Sequence, residues 1–269
     1  MYITSDSGNH IKRIRRLLEK SRARRDEGCF IAEGIRMVSE TPPERIDELF
    51  VSESLMSGDR VADPALAHLM DELDDDRIHT VSDRVFKNLS DTVTPQGVLA
   101  IVRMSFARGE EIFEKADPLI MVLSDLQDPG NLGTIVRTSE GAGVDAIVMS
   151  RGCVDIYSPK VVRATMGSLY RMPHLVTEDL RDFLIRMKDH GIKLYGAELS
   201  GSVLYDECDY TGGSAILIGN EGAGLAEDIL GVCDRRIRIP MEGKVESLNA
   251  AVSAGIIAYE AAGQRRHMD

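Results

Sequence analysis

The sequence predicts an α/β protein of two units, a smaller one first and then a larger one organised on a parallel sheet. Two observations predict it. Short apolar runs alternate with helical stretches along the whole chain, the pattern of strands packed against helices. From Pro118 onward those runs become continuously apolar, as strands covered on both faces by helices must be. With 269 residues, 43% hydrophobic and 28% charged, the chain has the length for more than one domain and the composition to bury a full core.

Taken in order, HIKRIRRLLEKSRARRDEG sets Ile11, Ile14, Leu17 and Leu18 at helical spacing among basic residues. CFIAEG, RIDELFVSE, RIHTVSD and QGVLAIVRM read as strands, with PALAHLMDEL and DRVFKNLSD as helices between them. The first unit is expected to span 1–106, a polar linker 107–117, and the second unit 118–269. There PLIMVLSDL is a buried strand, NLGTIVRTSEGAG a helix ending on glycine, DAIVMS a strand and SPKVVRATMGSLYRM helical. EDLRDFLIRMKDHG is an amphipathic helix, KLYGAEL and SAILIG are strands, and LAEDILGVC is a helix. RIRIPM is the last strand and SLNAAVSAGIIAYEAAGQ the last long helix.

The formal net charge is −12, which suits solubility but does not exclude a polyanionic partner, because binding depends on where charges sit. Lys12, Arg13, Arg15, Arg16, Lys20, Arg22, Arg24 and Arg25 crowd the N-terminus, and the acid gathers elsewhere, as in DELDDDR. The plain alternative for the basic run is a solvated helix face. No apolar leader opens the chain and no run approaches about 18 apolar residues, so a cytoplasmic protein without membrane contact is expected. Cys29, Cys153, Cys208 and Cys233 have no C-x-x-C spacing, which suits reduced thiols and speaks against a zinc site, and no metal is expected.

Ligands of open α/β sheets bind beyond the carboxyl ends of the strands, and three loops there carry unusual residues. In SDLQDPGNLGTIVRT, Pro129 and Gly130 make a turn and Asn131 opens the next helix. Arg137 follows six positions later and is expected on about the same face. In AILIGNEGAGL, Gly219, Gly222 and Gly224 permit a sharp backbone path around Glu221, which is otherwise an acid at a helix start. In IPMEGKVESLNAAVSAG, Ser247 and Asn249 open a helix whose small residues suit either core packing or a subunit interface. A dinucleotide site is disfavoured and stays only as a distant alternative: GAGVDA runs from helix to strand, and GNEGAGL lacks the glycine spacing. There is no Walker lysine, no G-x-S-x-G and no histidine-rich metal pattern.

Together the three loops resemble the motifs of the SpoU/TrmH family of SPOUT methyltransferases. Asn131, Gly133 and Arg137 match the first motif, and Gly219, Asn220, Glu221, Gly222 and Gly224 the second. Ile239, Pro240, Met241, Gly243, Ser247, Leu248 and Asn249 match the third, and the resemblance runs from Pro118 to Gly263. Upstream, Glu33, Gly34 and Arg36 in CFIAEGIRMVSE resemble the L30e-like substrate-binding domain often joined to these enzymes.

The resemblance implies a SPOUT domain with a deep trefoil knot, a homodimer through the last helix, and 2′-O-methylation of RNA ribose by S-adenosylmethionine (SAM). The L30e-like domain favours ribosomal RNA over tRNA. It further implies SAM contacts at Ala197, Glu198, Gly219, Asn220, Glu221, Gly222, Ile239, Met241 and Leu248, with Arg137 as the catalytic residue. An arginine rarely gives up its proton, so Arg137 is read as a phosphate ligand and alkoxide stabiliser, held by Asn131, Glu221, Ser247 and Asn249. RNA contacts are expected at Lys12, Arg13, Arg15, Arg16, Glu33 and Arg36. The competing readings are a non-catalytic RNA-binding assembly factor of the same fold, a tRNA ribose methylase, and a base methylase.

Overall fold

The computed structural model describes residues 1–57, 63–90, 92–200 and 203–266. They form two compact units, Met1–Ser105 with Asp155–Tyr170, and Phe106–Val154 with Arg171–Asp269.

The first unit begins with β1 (Tyr2–Ile3), α1 (Asn9–Glu19) and α2 (Ser21–Glu27), then β2 (Cys29–Glu33), α3 (Ile35–Ser39), β3 (Ile46–Ser52) and α4 (Glu53–Ser57). It continues through α5 (Pro64–Asp71), β4 (Ile78–Val81), α6 (Asp83–Leu89) and β5 (Val98–Arg103). The sheet order is β1-β4-β3-β5-β2, with β1, β4 and β3 parallel and β5 antiparallel to both of its neighbours. Ile11, Ile14 and Leu17 of α1 are fully buried against Phe50, Val81 and Leu99, as their spacing predicts. The helix expected to run on through the arginines instead breaks at Lys20, whose backbone is extended (φ −118°, ψ 110°).

The second unit follows with β6 (Leu119–Leu123), α7 (Pro129–Ala142) and β7 (Ala146–Ser150). After α8 (Pro159–Thr165) come β8 (His174–Thr177), α9 (Leu180–Asp189), β9 (Lys193–Ala197), β10 (Val203–Leu204) and β11 (Ser214–Ile218). The short α10 (Glu227–Leu230), β12 (Arg235–Arg238) and α11 (Ala250–Arg266) complete it. The sheet order is β10-β12-β9-β11-β6-β7-β8 and every neighbouring pair is parallel. All residues of β6, β7 and β11 are buried, the origin of their unbroken apolar sequence. Asp179 caps α9 by accepting from the Asp182 N–H, and Leu180, Phe183, Leu184 and Met187 face the core at i, i+3, i+4 and i+7. This strand order sets the carboxyl ends of β6, β11, β9 and β12 side by side, so the three unusual loops converge.

Two features depart from the expected layout. Residues 107–117 sit with the second unit, and α8 sits with the first although it lies between β7 and β8 in the chain. The reason is burial. Val161, Val162 and Thr165 are buried, and the Tyr157 ring lies 4.7 Å from that of Phe30 while its hydroxyl donates to the Ser105 carbonyl at 2.7 Å. Arg24 is buried too, donating to Asp155 at 2.7 and 2.9 Å and to the carbonyls of Leu17 and Leu18.

The small residues of α11 also prove to be core. Ala251, Ala254, Ala258 and Ala261 are buried, and the close approach of α7 is marked by a Gly255 Cβ position 3.3 Å from Thr138. The exposed side of α11 instead carries Val252 and Tyr259, seven residues apart and each about half exposed (50% and 49%). No helix among the described residues is long and apolar enough to cross a membrane.

Candidate active site

Beyond the carboxyl ends of β9, β11 and β12 lies a cleft of about 710 Å³. Every residue expected to contact the cofactor is in its wall: Ala197 at the end of β9 and Glu198 after it, Gly219, Asn220, Glu221 and Gly222 after β11, Ile239 and Met241 after β12, and Leu248 before α11. Ser247 lines it as well, exposed and without a hydrogen bond among the described residues.

The β11 loop is held by its own backbone. Asn220 and Gly224 exchange N–H···O bonds of 3.0 and 2.9 Å, and Gly224 adopts a left-handed φ of +71°. A Cβ on Gly219 would stand 2.2 Å from the carbonyl carbon of Gly224, so only glycine allows the two segments to pass. The Asn220 side chain accepts from the N–H groups of Gly222 and Ala223 and donates to the Asp125 carbonyl at 2.9 Å, fixing the loop to the end of β6.

Glu221 reaches from this loop to the start of α7. Its carboxylate accepts from the Gln127 N–H (3.1 Å), the Asp128 N–H (2.8 Å) and the Asn131 amide (3.0 Å). Burial alone would push its carboxyl up, but the Asn131 amide and those backbone N–H groups outweigh it and hold it below the usual carboxylate range. The Asn131 oxygen in turn accepts from Asn249 at 2.9 Å, and Asn249 caps α11 by accepting from Ala251 and Val252. Glu221, Asn131 and Asn249 therefore form one chain of hydrogen bonds joining three loops.

Helix α7 is not opened by Asn131. Asp128 is its N-cap, accepting from the Asn131 N–H at 2.8 Å ahead of Pro129, which leaves the Asn131 side chain free for the chain just described. Arg137 is exposed and makes no hydrogen bond or ion pair among the described residues. The expected shared face is wrong: six residues turn the helix by about 600°, leaving the two side chains about 120° apart. Glu221, Asn131, Ser247 and Asn249 do not hold Arg137 through hydrogen bonds.

The cleft has the features that a sulfonium nucleoside such as SAM requires. Glu198 Oε1 accepts from Ser200 at 2.7 Å, while the buried Oε2 has no hydrogen bond among the described residues and lies 3.6 Å from Arg236. Such an oxygen is suited to the hydroxyl groups of a ribose. Ile239, Met241 and Leu248 offer apolar surface for a base.

The profile of the SpoU rRNA Methylase family matches residues 118–259, and that of the MRM3-like substrate binding domain matches residues 8–100. The chain belongs to the SpoU rRNA methylase family. It is 35% identical over 185 residues, 69% of this chain and 72% of the relative, to the 23S rRNA (guanosine(2553)-2'-O)-methyltransferase RlmP of Bacillus subtilis. The AdoMet-bound rRNA methyltransferase of Sinorhizobium meliloti superposes with a TM-score of 0.86 at 28% identity, covering 100% of this chain and 98% of that one. A structure solved for 2-OH methylation of C/U34 on tRNA has a TM-score of 0.52 at 29% identity and covers 56% of this chain but 98% of its own.

In the substrate-binding unit of this SpoU methylase the structure redistributes the expected RNA contacts. Arg13 is shared by Glu27 (2.9 Å), Asp47 (2.7 Å) and Glu48 (2.5 Å), Arg15 meets Asp6, and Arg16 meets Glu27. Glu33 is buried and accepts from the hydroxyls of Ser90 and Thr92, so it faces the core. Arg36 is exposed and pairs with Glu40 at 3.1 Å. Lys12, Lys20 and Arg25 are exposed and make no ion pair among the described residues. Sequence reasoning missed Asp128, which the Asp-Pro start of a helix signals, and Gln127, whose amide grips the carbonyls of Asp125 and Gly152. It also missed Asp125, a non-glycine residue at φ +55° whose carbonyl takes Asn220 and Gln127 together, and nothing in the sequence marks it.

Proposed function

We propose that this chain transfers a methyl group from SAM to a ribose 2′-hydroxyl of large-subunit ribosomal RNA. The observation that carries the reading is the hydrogen-bonded chain Glu221–Asn131–Asn249. It ties the wall of the nucleoside cleft to the helix that presents Arg137, unpaired, to solvent. The bound cofactor supplies an electrophilic methyl group. Glu198 takes the ribose of the nucleoside, and the backbone of the β11 loop with Ile239, Met241 and Leu248 encloses its base.

Glu221 is a positioning residue, because three donors already occupy its carboxylate and hold it ionised. Arg137 is the catalytic residue, binding a phosphate beside the target nucleotide and stabilising the developing alkoxide while the 2′-oxygen takes the methyl from the sulfonium, leaving a neutral thioether, and the hydroxyl proton passes to solvent water. Ser247, exposed at the cleft wall, has a free hydroxyl for the incoming RNA backbone.

Ribosomal RNA is favoured over tRNA because the tRNA-methylating structure covers only 56% of this chain, whereas the Sinorhizobium enzyme, named for rRNA as RlmP is, covers all of it. In this reading 1–106 recognises RNA, 107–117 links, and 118–269 catalyses. The trefoil knot and the homodimer belong to the same proposal, and the exposed Val252 and Tyr259 of α11 support the second as an apolar stripe for a like helix. A cytoplasmic location accords with four free thiols and with an rRNA substrate. No step in this scheme calls on a metal.

The test is methyl transfer from labelled SAM to unmethylated rRNA and tRNA, followed by nucleoside digestion. A 2′-O-methylnucleoside from rRNA is the expected product. A methylated base, product from tRNA alone, or absence of both transfer and SAM binding would overturn the reading.

A further inference from the structure

The sequence shows no metal-ligand pattern, yet the fold of the first unit gathers one from three distant elements. His10 stands on α1, Glu48 on β3 and His79 on β4. β3 and β4 are parallel neighbours with Phe50 opposite His79, and Glu48 lies two residues from Phe50, on the same face of the sheet. Helix α1 crosses that face and brings down the His10 ring, whose centroid is 4.8 Å from that of His79. His10 Nδ1 lies 2.5 Å and His79 Nε2 3.2 Å from one oxygen, Glu48 Oε2, and all three ligand atoms fall within 4.8 Å of one another.

We infer that His10, Glu48 and His79 form a binding site for a divalent transition ion of the zinc class. Ligands about 2.0–2.1 Å from a tetrahedral ion lie roughly 3.4 Å apart; the two histidine–carboxylate separations, 2.5 and 3.2 Å, are at or inside that spacing, and the third pair is within 4.8 Å. Two imidazoles and one carboxylate are the donors of zinc, cobalt and nickel, whereas magnesium and calcium take oxygen alone. The other Glu48 oxygen is held by Arg13, which Asp47 and Glu27 also grip. That outer support aims Oε2 at both histidines and spreads the arginine charge over three carboxylates.

His79 is buried, and its Nδ1 has no hydrogen-bond partner among the described residues. The His10 side chain is 37% exposed, so an ion can enter from solvent with a small rotation of that ring and keep water on its open side. The ion would take the place of the protons that now join the two imidazoles to Glu48 and would pin α1 to the sheet. His10, Glu48 and His79 are not among the residues that line the cleft described above.

The test uses the full chain, stripped with a chelator and titrated with Co²⁺ while the visible ligand-field bands are followed, then with Zn²⁺ in competition. One equivalent of Co²⁺ is expected, with tetrahedral bands and no thiolate charge-transfer band. Affinity should fall about tenfold or more in His10→Ala and in Glu48→Gln. Both positions are partly exposed, and circular dichroism of each variant checks that it folds. His68→Ala, which removes the exposed His68–Glu72 pair, should change nothing. The inference is overturned if the stripped protein takes up neither ion, if folded His10→Ala binds as tightly as the parent, or if binding follows His68 or a thiol.

Discussion

Replacing Glu221 by glutamine keeps the shape of the side chain and removes its charge, which isolates what the carboxylate does. Of the three bonds it accepts, those from Asp128 and Asn131 meet Oε1 and that from Gln127 meets Oε2. Glutamine can keep the pair on its single oxygen, but its NH2 group then faces the Gln127 N–H, donor against donor. A lost charge-assisted bond costs roughly 1.5–3 kcal/mol, and an acid at a helix N-terminus about 0.3–1 kcal/mol more. Glu221 is exposed, and water replaces part of this, so about 1–2 kcal/mol remains. At 1.36 kcal/mol per factor of ten, the correctly set loop should become about 5- to 30-fold rarer.

The assay is methyl transfer at several SAM concentrations, with SAM binding measured by calorimetry. SAM affinity and kcat are expected to fall together, because the chain of bonds reaches both the cleft and α7. Because the folded carboxyl is held below its ordinary value of 4.5, its contribution to stability is present above that pH and is lost as pH falls through the folded value. Parent and Glu221→Gln should therefore differ in melting temperature at neutral pH and converge in acid below about 4.5. If the variant kept SAM affinity and kcat within twofold, or if the difference in melting grew in acid, the carboxylate would not be what holds the loops.

Arg137→Ala should lower kcat by about a hundredfold or more while the melting temperature barely moves, since the guanidinium has no partner among the described residues. Arg137→Lys should recover only part of the rate, because it keeps charge without the planar fork. A rate near the parent's in Arg137→Ala would remove Arg137 from the chemistry. Gly219→Ala forces a methyl group to 2.2 Å from backbone that cannot yield, and should cost about 1–3 kcal/mol and most SAM binding. A calorimetric titration matching the parent's would show that the loop has slack. Arg13→Ala should cost stability, roughly 1–3 kcal/mol, because it strips three carboxylates of a shared cation. Lys12→Ala and Lys20→Ala should each lower the salt slope of RNA binding by about one. A filter-binding series in which Arg13→Ala weakens RNA more than the lysine variants would return that residue to the RNA face.

What could be read from the sequence follows the range of the physics involved. The buried strands of the second unit announce themselves by unbroken apolar runs, and the loops of the cleft by glycines and asparagines directly after those runs. Both signals are local. The short β8 and β10 carry too few residues for any period to show. Glu33 read as a surface acid because its partners, Ser90 and Thr92, stand some sixty residues away, and Arg13 read as free because Asp47 and Glu48 are brought to it only by the sheet. Asn131 and Asp128 are both good caps by composition, and the Asp-Pro order decides between them. The gathering of His10, Glu48 and His79 is wholly a product of strand pairing, and no spacing rule could reveal it.

The placement of α8 bears on how the polypeptide is made. The sheet of the first unit is complete at Ser105, yet the helix that covers Phe30 and the carboxylate that neutralises Arg24 arrive only with Asp155–Tyr170. At about 5–20 residues per second, a ribosome takes roughly 3–13 seconds to cover that interval. Throughout it the nascent unit exposes the apolar side of β2, while β6, α7 and β7 emerge beside it.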